Sequence, residues 1–124
     1  MAMQYLLMLN ESDDAFAARE DPDRVGPYWD AWLGYIRALE EAGILVAGAG
    51  LEPPSVATTV RLVEGRRTVQ DGPFADSKEH LGGYFQIDVA NLDVALDWAA
   101  RSPAAADGSV EVRPVMPPRY GPKL

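Results

Sequence analysis

The chain has no cysteine and a single histidine, His80. Without cysteine there is no disulfide, no thiolate nucleophile and no cysteine-ligated zinc or iron–sulfur centre. One histidine also falls short of the clusters that hold zinc or iron, so no metal is expected. Basic charge is scarce: 11 Lys and Arg stand against 19 Asp and Glu, a net charge of −8. Such a field repels phosphate backbones, and no nucleic-acid partner is expected. No apolar run approaches the ~18 residues of a membrane helix, so no membrane association is expected either. The start, "MAMQYLLMLNE", lacks a basic leader and reads as a strand rather than a signal peptide. The lack of cysteine suits a cytoplasmic location, which is our expectation. No phosphate loop, GxSxG elbow or dinucleotide fingerprint occurs. The glycines of "AGAGLEPP" are followed by prolines instead of a helix, and no cofactor is expected.

What is present is a regular order of elements. At 124 residues, with 48% hydrophobic and 24% charged side chains, the chain reads as one globular domain over 1–124. "MQYLLMLN" is apolar on both alternating faces, which predicts a central strand covered on both sides. "ESDDAFAAREDPDRVGP" is acidic and broken by Pro22, Gly26 and Pro27. It reads as a solvated loop with one helical turn around residues 15–19. "YWDAWLGYIRALEEAG" is the clearest helix. Trp29, Trp32, Leu33, Ile36 and Leu39 form one stripe, read as core in preference to a pocket wall, and Gly43 ends it. "ILVAGAG" fits a buried strand.

"LEPPS" then interrupts the chain. "VATTVRLV" and "RTVQ" form a hairpin across Glu64 and Gly65. "YFQIDV" alternates, with Phe85, Ile87 and Val89 on one side and Tyr84, Gln86 and Asp88 on the other. "NLDVALDWAARSP" is a second helix with Asn91 as N-cap and a stripe of Leu92, Ala95, Leu96 and Ala99, stopped by Pro103. "GSVEVRPVM" is the last strand. Two βαβ-like halves flanking a hairpin predict an α+β, ferredoxin-like split βαβ sandwich with an extra β-hairpin. Helices cover only one face of such a sheet. The other face, carrying Tyr84 and Gln86, suits burial against a second copy, so a homodimer is expected.

"YLLML", "AGILVAGAGLEPP", "DGPFADSKEHLGGYFQIDV", "LDVALDWAARSPAA" and "GSVEVRPV" cover most of the chain. In this order they resemble the YCII-related family, within it the branch named for its DGPF motif. The resemblance implies a dimeric α+β barrel of ferredoxin-like subunits. It implies an activity among small-molecule enzymes that handle lactones or small acids, and a link to alternative sigma factors. The histidine–aspartate dyad of such enzymes has no counterpart here, because no histidine lies between Tyr28 and Gly43.

The motif itself, "DGPFADSKEHLGGY", carries turn chemistry. Asp71 accepts backbone N–H bonds, Gly72 permits positive φ and Pro73 fixes its own φ. Phe74 anchors the loop by packing, and Gly82 with Gly83 allows a bulge or a close backbone approach. The motif also holds the candidate site. A helical turn over "FADSKEH" would put Asp76, Glu79 and His80 on one face. His80 then serves as proton shuttle, Asp71 as second carboxylate and Lys78 as partner for a developing negative charge. Phe74, Asp76, Lys78, Glu79 and Tyr84 are the expected ligand contacts. Two functions stay open: a lyase or isomerase acting on a small molecule by acid–base chemistry, and a noncatalytic binding or regulatory module.

Overall fold

The computed structural model describes residues 3–73 and 77–117. Strand β1 (Met3–Ser12) alternates inward and outward along its whole length, with Tyr5, Leu7 and Leu9 buried. Ser12 then caps a short helix, α1 (Asp13–Ala18), by accepting the Ala15 N–H at 3.2 Å. Asp13 and Asp14 in its first turn complement the helix dipole. The acidic stretch is thus more ordered than its composition indicated.

Helix α2 (Val25–Glu41) follows. Gly43 adopts φ +70°, the Ile44 N–H reaches Leu39 O and the Gly43 N–H reaches Glu40 O. That double bond pattern is a Schellman cap, which satisfies carbonyls at the helix end. Strand β2 (Leu45–Gly50) leaves at once. After a single 3-10 turn at Pro54–Val56 come β3 (Thr58–Val63) and β4 (Arg66–Asp71), then β5 (Glu79–Val89). Helices α3 (Leu92–Ala100) and α4 (Pro103–Asp107) lead to β6 (Ser109–Pro114). Asn91 caps α3 as expected, accepting the Val94 N–H at 3.0 Å.

The main sheet has the order β2-β5-β1-β6, all neighbours antiparallel. This is the split βαβ arrangement of a ferredoxin-like α+β fold. The helices pack on the face that carries Tyr5, Leu7, Leu9, Phe85, Ile87 and Val89. Trp32, Tyr35 and Phe85 interlock there with centroids 5.8–6.3 Å apart. The buried Tyr35 phenol is pushed up to about 12 by burial, and its O–H donates to Trp98 O at 2.7 Å.

Three expectations change. β1 is central, yet within one chain it is covered on one face only; Leu6 and Met8 on the other are half-buried. β2 is an edge strand, exposed over Val46–Gly50, because β5 is its one neighbour in the sheet. The buried stripe of α3 runs through Ala95 and Ala99 with Val94 and Trp98 beside it, while Leu92 and Leu96 are each 45% exposed. Leucine on both flanks of an alanine-rich helix leaves its rotation undetermined until it meets the sheet.

The hairpin β3–β4 forms a separate two-stranded sheet. Its turn has positive φ at both Glu64 (51°) and Gly65 (77°). Both signs match the type I′ turn that suits a twisted hairpin. Val60 faces Val69 across the pair, and these two with Leu62 are 58–74% exposed.

Candidate ligand-binding site

The site begins with a bulge. Leu9 pairs with Gly83 and Asn10 with Leu81, so Gly82 is an extra residue on β5. The register therefore shifts between Leu9 and Asn10, as the paired glycines led us to expect. The missing side chain matters more than the backbone freedom. A Cβ on Gly82 would lie 1.8 Å from Glu11 Oε2. The glycine leaves the volume that this carboxylate occupies.

Glu11 continues the inward series of Tyr5, Leu7 and Leu9 and is only 2% exposed. An isolated buried carboxylate would be costly, so its partners decide its state. Arg19 Nη2 donates to Glu11 Oε2 at 2.8 Å, and the Tyr28 hydroxyl donates to Glu11 Oε1. Arg19 Nε donates to the Tyr28 oxygen at 3.0 Å, closing the triangle. Arg19 also donates to the carbonyls of Leu51 and Gly82. Its guanidinium lies 4.7 Å from the Phe16 ring centroid and 5.3 Å from that of Trp29. Arginine suits this place because a planar, weakly hydrated cation tolerates both forked bonding and aromatic cover. The Tyr28 phenol is pushed up to about 12, first by burial and then by the Glu11 carboxylate. It is a neutral donor at neutral pH.

This triad closes one end of a cavity of about 530 Å³. Trp29, Trp32, Leu33 and Ile36 of α2 form one wall, and residues 45–50 of β2 form the other. Leu9, Gly82, Gly83 and Phe85 also line it. The alanines and glycines of β2 keep that wall thin. A Cβ on Gly48 would lie 2.5 Å from the Phe85 ring. The α2 stripe expected as core is therefore divided. Trp32 and Leu39 are buried, whereas Trp29 and Leu33 stand 41% and 48% exposed and border the cavity.

The expected site residues fall elsewhere. His80 and Glu79 lie in β5, so their side chains leave on opposite faces and the proposed helical face does not form. His80 is half-buried and opposite Glu11 in the register, but it does not line the cavity. Glu79 accepts from the Ser109 hydroxyl at 2.6 Å. Lys78 is exposed, and Asp71 is exposed at the end of β4. Tyr84 lies half-buried opposite Met8, on the sheet face away from the helices. Phe74 and Asp76 lie outside the described residues.

The turn reading of the motif fares better. Gly72 has φ +97°, and its carbonyl accepts from Thr59 Oγ1 at 2.8 Å. Nothing lies within 4 Å of a Cβ placed there, so strain alone opposes substitution. Gly72→Val is expected to lower stability by about 1–3 kcal/mol, read from urea unfolding curves.

Glu11, Arg19 and Tyr28 were missed by sequence reasoning. The signal for Glu11 was the odd-numbered alternation of β1, carried one step further into the acidic stretch. Arg19 and Tyr28 had no such signal, since only the fold of α1 onto α2 brings them together.

A protein of Rhizobium meliloti (strain 1021), itself named as uncharacterized, is similar to this chain. The two are 47% identical over 81 residues, which is 64% of this chain and 65% of that relative. The cavity and its triad sit within a broader match: residues 3–119 fit the YCII-related domain, and the chain belongs to that family.

Proposed function

We propose that this domain binds a small, mostly apolar molecule in the cavity beside α2 and acts on it through Glu11. One observation carries the reading: an apolar cavity of about 530 Å³ ends on a buried, hydrogen-bonded carboxylate. A cavity of this size is typical for small ligands, with few polar groups fixing orientation. Glu11 can take a proton from one ligand atom and return it to another, so an isomerisation needs no co-reactant. Arg19 and the Tyr28 hydroxyl both donate to Glu11 and hold the carboxylate in place. His80 lies opposite Glu11 in the strand register.

A noncatalytic binding or regulatory role is the second reading. It is favoured by how Arg19 and Tyr28 direct their donors at one another, at Glu11 and at backbone carbonyls, which makes the triad a structural unit. Quenching of tryptophan fluorescence by small ring compounds, with Trp29 and Trp32 as reporters, tests binding. Lactone and enol-type ligands followed by proton exchange in deuterated water then test chemistry. Exchange that survives Glu11→Gln would remove Glu11 from the reaction, and no quenching by any compound would remove the cavity.

We also propose a homodimer closed by the helix-free sheet face. Leu6, Met8, Tyr84 and Gln86 on that face are half-buried. Sedimentation should report two chains at micromolar concentration, and a stable monomer would end the proposal.

A further inference from the structure

We propose that the cavity selects neutral ligands bearing a hydrogen-bond donor and rejects carboxylates. The inference rests on the reading of the cavity as a ligand site and names the ligand chemistry it takes.

Among the described residues, Glu11 and Arg19 are the two charged side chains of the lining, and they pair at 2.8 Å. Their charges cancel, so the cavity offers no net compensation to a buried ion. Arginine has five N–H donors. Arg19 directs them at Tyr28, Leu51 O, Glu11 and Gly82 O, and aromatic rings cover its planar faces. Little of the cation is left for a ligand anion. Glu11 is the opposite case. An ionised carboxylate has roughly four acceptor positions, and Tyr28 and Arg19 occupy one on each oxygen. A ligand O–H or N–H finds an acceptor there. A ligand carboxylate meets a like charge where water is scarce and screening is weak.

The test compares three ligands that share one ring system. Naphthol is neutral with a donor, methoxynaphthalene is neutral without one, and naphthoate is an anion at neutral pH. Titration calorimetry on the full chain should rank them in that order. Naphthol should bind at least about tenfold tighter than naphthoate, a difference of about 1.4 kcal/mol. Glu11→Gln keeps the shape and leaves Arg19 uncompensated, so it should bring naphthoate above naphthol. Should that variant fail to fold, the order in the unmodified protein still decides. Naphthoate binding as tightly as naphthol overturns the selectivity and leaves the cavity a ligand site. Absence of binding by all three overturns both readings.

Discussion

Arg19→Ala is expected to cost about 3–5 kcal/mol of unfolding free energy, the range for breaking a buried ion pair from one side. The cost arises because Glu11 stays behind, 2% exposed, with its cation gone. The same change also strips donors from Leu51 O and Gly82 O and removes the cover on Phe16. The pair itself need not be worth that much. Ions lose most of their hydration on burial, and mutual attraction roughly returns it. A double-mutant cycle separates the two quantities. Glu11→Ala with Arg19→Ala should destabilise by clearly less than the sum of the single changes. Strict additivity in urea unfolding would mean that the two side chains do not interact in solution.

Gly82→Ala should be nearly as damaging, on the order of 3 kcal/mol, although it adds one methyl group. That methyl would stand 1.8 Å from Glu11 Oε2 and 2.8 Å from Glu11 Cδ. The carboxylate must then swing away, and Arg19 and Tyr28 hold it from the other side. Ligand affinity should fall with stability, because the displaced group moves into the cavity. Gly34→Ala is the control. Nothing lies within 4 Å of a Cβ there, and the site is inside α2. It should stabilise the protein by roughly 0.5–1 kcal/mol, since alanine outranks glycine in a helix. Equal losses at both positions would show that glycine content alone, and not the space around Glu11, governs the result.

The contrast between those two glycines also shows what the sequence could convey. Local rules spoke clearly wherever a residue answers to its own neighbours in the chain. Asn91 before an apolar run, Gly43 after one, and Glu64 with Gly65 between alternating strands each acted as read. The order of strands and helices followed from the same local signals. The site did not, because its logic is tertiary. Trp29 and Leu33 share a stripe with Trp32 and Leu39, and a cavity wall needs the same apolar surface as a core. Glu11 stood first among seven acids between Glu11 and Asp30 in a stretch that composition assigns to solvent. Its burial depends on Arg19 folding back over it and on Gly82, far along the chain. The motif around Gly82 drew attention to the right strand. It did so for its charges, whereas the residue that shapes the cavity has no side chain at all.

The β3–β4 hairpin has a kinetic consequence. Its two strands bond only to each other within their sheet, and Val60, Leu62 and Val69 face outward. An isolated two-stranded unit is marginal in water. The hairpin should therefore open and close as its own cooperative unit while β1 and β5 stay intact. Its amide protons should exchange with solvent through that local opening, long before those of the central strands.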